Sequence, residues 1–222
     1  MDSEPELSER LRWTLAWQSQ HLAPELERPD AERRLRSFWR ETRRMDDVIE
    51  LVRPHGASTA IDVGGGMTTP LRWIPGRNLC VDPLAEHYAR LTSLPLEGVD
   101  YLAGGGESLP VERETIDLVI CTNCIDHTDD PAAIVAEVRR VLRPGGWFWF
   151  TCEEHEIGAK RNAGHPHALN RADIRGLLNG LDVVLDWEEP WRGVLRYLVG
   201  SEPAPTFELG FLARKPEVAN DE

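Results

Sequence analysis

Residues 61–70 read IDVGGGMTTP, an apolar run that ends on an acid and passes directly into three glycines. Thr59, Ala60, Ile61 and Val63 predict a short buried strand, and Gly64, Gly65 and Gly66 predict a sharp turn at its carboxyl end. In an open parallel sheet, ligands bind at that edge. The dinucleotide fingerprint Gly-x-Gly-x-x-Gly, counted from Gly64, ends here on Thr69, which argues against a nicotinamide cofactor. Asp62 argues the same way, because a carboxylate at the turn repels a pyrophosphate but suits a cationic amine or sulfonium. S-adenosylmethionine carries both cations. A glycine-rich strand-to-helix turn without a ligand is the competing reading.

Downstream, strands alternate with helices, the pattern of a parallel sheet covered on both faces. A second strand is expected at residues 78–81 and ends on Asp82, twenty positions after Asp62. A nucleoside-binding fold places there the acid that accepts hydrogen bonds from ribose hydroxyls; capping of the helix that begins at Pro83 is the alternative. A helix over 84–91 and a third strand near 99–103 lead to a second glycine turn, Gly104 to Gly106, followed by Glu107. The fourth strand, IDLVIC at 116–121, is apolar enough for the sheet centre. Asp130 and Pro131 then start a helix to Leu142, the stretch Arg143 to Gly146 stops it, and WFWFTC at 147–152 forms strand five. A helix at 171–178 and strands at 181–186 and 206–213 complete the chain. The last two strands follow one another with no helix between, so the seventh is expected to run antiparallel. The fold class is therefore α/β, a Rossmann-like doubly wound sheet of seven strands, mostly parallel.

Before this core, residues 1–56 read as helical. Leu7, Leu11 and Leu15 recur at four-residue spacing, Pro24 and Pro29 break the pattern, and a longer amphipathic helix begins after Asp30 and carries Leu35, Phe38, Trp39, Val48, Ile49 and Val52. The chain divides accordingly into an N-terminal helical cap, 1–56, and a cofactor-binding core, 57–222. Trp17 and Trp39 either fill the core or, with the cap closed over the pocket, touch the substrate.

The 222 residues suit one domain with a small appendage, and the net charge of −13 repels a polyanion. The arginines between Arg33 and Arg44 are interleaved with Glu32, Glu41, Asp46 and Asp47, so nucleic acid is not an expected partner. The acidic N-terminus does not read as a leader, no apolar run approaches membrane-spanning length, and the four cysteines suit reduced core thiols of a cytoplasmic protein. Cys121 and Cys124 form a CxxC without partners at zinc-ribbon spacing.

Taken in order, IDVGGGMTTP, VDP, GGESLP, IDLVICTNCIDHTDDP and VLRPGGWFWF resemble the class I S-adenosylmethionine-dependent methyltransferases, in particular the broad type 11 group that includes quinone and natural-product methylating enzymes. The resemblance covers residues 57–152 strongly and the remainder weakly. It implies Asp62, Gly64 and Gly66 at the methionine end of the cofactor and Asp82 on the ribose. It further implies Pro83, Gly106 and Glu107 beside the adenine, and Asn123 beside the sulfonium. Thr68 and Gly105 depart from the family pattern, where a third glycine and an adenine-contacting aspartate are common.

Methyl transfer from a sulfonium is an in-line displacement, so positioning and exclusion of water dominate, and a base matters most for hydroxyl acceptors. His127, His165 and His167 are the candidates for that base, and structural roles compete at each. Glu153, His155, His165 and His167 could gather a metal, but their spacing closes no ligand set, and no metal is expected. The expected activity is methyl transfer to a small-molecule acceptor, plausibly in secondary or sugar metabolism. Alternatives are methylation of a protein or tRNA and a non-catalytic cofactor-binding module. Homodimerisation is left open.

Overall fold

The computed structural model describes residues 7–53, 58–92, 98–159 and 165–217. Its centre is a seven-stranded sheet in the order β3-β2-β1-β4-β5-β7-β6. The strands are β1 (Thr59–Val63), β2 (Arg77–Val81), β3 (Asp100–Leu102), β4 (Ile116–Thr122), β5 (Leu142–Glu153), β6 (Asp182–Pro190) and β7 (Phe207–Arg214). Strands β1 to β5 pair in parallel, and β7 inserts antiparallel between β5 and β6. The order reverses at β1 and β4, so their carboxyl ends open a crevice between them.

Side-chain alternation along the strands sends two sets of apolar residues to opposite faces. Ala60, Leu118, Ile120, Trp149 and Leu212 meet α3 (Ala31–Thr42) and α4 (Met45–Val52) through Leu35, Phe38, Trp39, Met45 and Val48. On the other face, Ile61, Val119, Phe148, Phe150 and Phe211 meet α6 (Pro131–Val141) and α7 (Arg171–Leu177) through Ile134, Val138 and Ile174. Both α6 and α7 start on the caps their sequences supply. Asp130 accepts from the N–H groups of Ala132 and Ala133, and Asn170 forms a reciprocal capping box with Asp173.

Four sequence expectations need correction. Pro24 does not break the first helix. A π-helical turn at Gln18–Leu22 joins α1 (Glu9–Trp17) to α2 (Ala23–Leu26), where Pro24 occupies a first-turn position that needs no N–H donor. The long helix after Asp30 is two helices. It breaks where Arg44 adopts a left-handed backbone, φ 55°, and where Arg43 turns inward to a buried ion pair with Glu208. Strand β5 starts at Leu142 rather than Trp147, because the Pro-Gly-Gly stretch is absorbed as a register irregularity opposite Ile116 and Leu118. A short helix, α8 (Val194–Leu198), does lie between β6 and β7, yet β7 runs antiparallel as expected. The 56/57 boundary between cap and core falls outside the described residues.

Candidate active site

The glycine turn after β1 works because of what surrounds it. Gly64 and Gly66 have φ of 70° and 57°, which L side chains rarely adopt. A Cβ on Gly64 would lie 2.8 Å from Cys124 Sγ, and one on Gly65 would lie 2.2 Å from a carboxylate oxygen of Asp62. Three unbranched positions therefore let the turn close over Asp62.

Asp62 itself is fully buried, and its carboxylate oxygens make no hydrogen bond of full geometry among the described residues, the nearby Thr69 side chain giving its ionised form only partial support. Burial, reinforced by nearby Asp82, pushes its carboxyl up to about 8. A buried acid of this kind is expensive when ionised alone and is relieved by a cation. At the end of β2, Asp82 is held by two backbone donors, the N–H of Leu84 at 2.8 Å and that of Gly66 at 3.2 Å. Burial raises this carboxyl too. Asp82 is 6% exposed and lines the cavity, and its carboxylate retains lone pairs for further donors.

Asp82 and the glycine turn that covers Asp62 face one cavity of about 590 Å³, within the usual range for small-molecule sites. Gly64, Gly66, Asp82, Pro83, Gly106, Glu107 and Asn123 all line it. Gly106 permits close approach, since a Cβ there would sit 2.5 Å from Val63. Glu107 is oriented by the N–H groups of Asp129 and Asp130 at 3.2 and 3.5 Å. Asn123 follows β4 with φ 50°, and its Oδ1 accepts from Trp191 Nε1 at 3.2 Å.

The opposite wall is aromatic. Trp13 and Trp17 come from α1, Phe38 and Trp39 from α3, and Trp191 from the loop after β6. Trp39 is fixed by donation from its ring N–H to the Thr68 carbonyl at 2.7 Å and by an edge contact with Trp149. Trp17 and Trp39 thus both reach the cavity and both pack.

His127 and His165 also line the cavity, with ring centroids 4.2 Å apart. His167 is not among the lining residues; its Nε2 lies 3.0 Å from the Thr128 carbonyl. Between and behind the first two lies Asp126, 1% exposed, with Oδ2 3.5 Å from His155 Nε2. Burial alone would raise the Asp126 carboxyl, but His155, His127 and His165 hold it below its ordinary range. Burial and neighbouring His127 depress His165, whereas the contact with Asp126 raises His155. Sequence reasoning missed Asp126, Trp191 and Arg43. The Asp-His pair at 126 and 127 was visible as a motif, but nothing in sequence brings Trp191 to Asn123 or Arg43 into the cavity wall.

A family model described as Methyltransferase domain matches residues 61–150, the stretch that builds β1 to β5 and the glycine turns. Over these residues the chain is similar to that methyltransferase-domain family. Curated relatives match a stretch of similar length. The ubiquinone biosynthesis O-methyltransferase of Nitrosomonas europaea is 28% identical over 115 residues, 49% of either chain. That of Hydrogenovibrio crunogenus is 34% identical over 100 residues, 42% of either chain. The matched region thus spans about half the length of these relatives or less. Among solved structures, the [4+2]-cyclase SpnF superposes with a TM-score of 0.59 at 18% identity, covering 79% of this chain and 82% of that one. This likeness shows the fold alone.

The residues present fit the cofactor this domain type implies. The orphaned Asp62 carboxylate offers a counter-charge to a cation, Asp82 offers acceptors for hydroxyls, and Gly64, Gly66 and Gly106 keep the floor free of side chains.

Proposed function

We propose that this chain is an S-adenosylmethionine-dependent methyltransferase acting on a small-molecule acceptor. The observation that carries this reading is the meeting of the glycine turn and Asp82 at one end of a cavity whose other end is walled by tryptophans, with the buried Asp62 carboxylate directly behind Gly65. In this reading Asp62, Gly64 and Gly66 hold the methionine end of the cofactor, Asp82 the ribose, Pro83, Gly106 and Glu107 border the adenine, and Asn123 stands beside the reacting centre. When bound, the cofactor supplies an electrophilic methyl group.

Trp17 and Trp39, with Trp13, Phe38 and Trp191, hold the acceptor and exclude water from the reacting end. Residues 1–56 serve as the cap that completes this wall. His127 and His165 are the polar groups nearest the acceptor and manage its proton; His167 anchors their loop instead. A small acceptor is supported by the enclosed volume, the acidic net charge and the names of the ubiquinone-pathway relatives. No helix among the described residues is long and apolar enough to cross a membrane, and four free cysteines suit the reducing cytoplasm.

Thermal shift with S-adenosylmethionine, S-adenosylhomocysteine and NAD tests the cofactor reading. At about a hundred times the dissociation constant, binding adds about 2.7 kcal/mol, roughly 5 to 10 °C for a chain of this size. Stabilisation by both adenosyl ligands and loss of it in Asp82→Ala is expected. Transfer of labelled methyl to a panel of phenols, thiols and amines then tests the acceptor. Binding without transfer to any small molecule, combined with transfer to protein or tRNA, would replace the small-molecule reading.

A further inference from the structure

The short 3-10 turn Ile125–His127 after β4 points two consecutive side chains to different purposes. Asp126 goes into the protein, 1% exposed, while His127 goes to the cavity, 30% exposed. The loop after β5 then brings His165 against His127, with ring centroids 4.2 Å apart. One ligand-capable atom from each of Asp126, His127 and His165 falls within a common span of 4.8 Å.

The state of the Asp126 carboxylate sharpens this arrangement. Its Oδ1 is buried and has no hydrogen-bond partner among the described residues. Its separation from His127 Nε2, 3.8 Å, is too long for a hydrogen bond. Two ligands on one tetrahedral ion, each about 2.0 to 2.2 Å from it, lie roughly 3.3 Å apart, so small imidazole rotations bring this set to bonding distance. Oδ2 is engaged separately, 3.5 Å from His155 Nε2, an outer contact of the kind that orients a ligating carboxylate. The backbone fixes the cluster further, since the His167 N–H donates to the Asp126 carbonyl at 3.3 Å and the His155 N–H to the Leu169 carbonyl at 2.9 Å.

We infer that Asp126, His127 and His165 form a binding site for a divalent first-row transition metal, with His155 as the outer partner of Asp126. Two imidazoles and one carboxylate select zinc, cobalt or iron over magnesium and calcium, which prefer all-oxygen sets. Because His127 and His165 line the cavity, three protein ligands leave a coordination position that faces it. Resting on the methyltransferase reading, the inference assigns that position to the oxygen or sulfur of the acceptor. The acceptor binds there as its anion, with its O–H or S–H proton released to solvent, and presents a lone pair to the reacting end; His127 and His165 then act on that proton through the ion they hold and not as bases themselves. Asp126 and His127 stand outside the metal set weighed from sequence, because only the fold brings the loop after β4 to the loop after β5.

The test uses the full chain, stripped with a chelator and titrated with Co²⁺ and Zn²⁺. The expected result is one Co²⁺ per chain, a visible ligand-field absorption, and its displacement by Zn²⁺. His165→Ala and His127→Ala should each abolish the absorption, and His155→Ala should weaken affinity about 10- to 100-fold. S-adenosylhomocysteine binding, followed by thermal shift, should survive in all three variants and so reports that they fold. Absence of stoichiometric Co²⁺ binding by the parent chain would overturn the inference, leaving the methyltransferase reading untouched. So would a signal that persists in both cavity-facing variants, which would locate the ion elsewhere, for instance at Cys121 and Cys124. Co²⁺ binding that behaves as expected without any adenosyl-ligand response would uphold the metal site and remove the methyltransferase reading beneath it.

Discussion

Trp191 donates its indole N–H to Oδ1 of Asn123 across 3.2 Å, joining the loop after β6 to the residue that follows β4. Asn123 sits at a φ of 50°, a conformation asparagine tolerates better than most residues. The bond therefore braces a backbone position that faces the cavity. Trp191→Phe removes one hydrogen bond and keeps most of the ring, so stability should fall by about 0.5–1.5 kcal/mol. A urea melt with an unchanged slope and a lower midpoint is the expected outcome. Unaltered stability would mean that the bond contributes nothing in solution.

Asp82→Asn preserves shape but replaces a charge-assisted acceptor by an amide. Hydrogen bonds to charged groups are worth about 1.5–3 kcal/mol, so affinity for S-adenosylhomocysteine should drop about 10- to 150-fold in calorimetry. An affinity within a factor of two of the parent would remove Asp82 from the cofactor site.

Asp62 gives a pH dependence whose sign can be worked out. Its carboxyl moves from an ordinary 3.8 in the unfolded chain to about 8 when folded, so folding takes up a proton between those values. The native state binds more protons than the unfolded state, and this group's contribution to stability falls as pH rises from about 4 to about 8. A cationic ligand needs the ionised acid, so at pH 7 binding should release close to one proton and affinity should climb towards pH 8. Calorimetry in buffers of different ionisation enthalpy measures that proton, and Asp62→Asn should abolish its release.

The Arg43–Glu208 pair tests a different part of the molecule. Both side chains are 2% exposed, and Glu208 also accepts from Thr151 Oγ1 at 2.8 Å. Burial lowers the Arg43 guanidinium and raises the Glu208 carboxyl, with each partner opposing the shift in the other. Glu208→Ala leaves a buried cation and should cost about 3–5 kcal/mol. Arg43→Met combined with Glu208→Leu should recover most of that loss in thermal melts. A double variant no more stable than Glu208→Ala would show that the pair also holds α3 in place.

The sheet was legible because its central strands are continuous apolar runs bounded by glycine, proline or acid. IDLVIC and WFWFTC had few other ways to be buried, and the spacing from Asp62 to Asp82 marked two adjacent strand ends. Local glycine chemistry was equally visible at Gly64 and Gly66, where positive φ is required. The helical break at Arg43 was hidden, because its cause is Glu208, on the penultimate strand in space but the last in sequence. Asn123 and Trp191 are separated by 68 positions, and periodicity carries no information over that distance. Asp126 was passed over for a related reason. Its burial follows from the 3-10 turn, whose short period leaves no recurring pattern to read.

The cavity wall comes from two kinds of sequence. The glycine turns, Asp82, Glu107 and Asn123 lie inside the segment 61–150 that matches the methyltransferase-domain model. Trp13, Trp17, Phe38, Trp39, Trp191 and Arg196 line the same cavity from outside that segment. The matched and unmatched stretches therefore meet face to face across one space. Substitutions in the outer stretches act on one wall and leave the other untouched, so the two faces of the space can be altered separately.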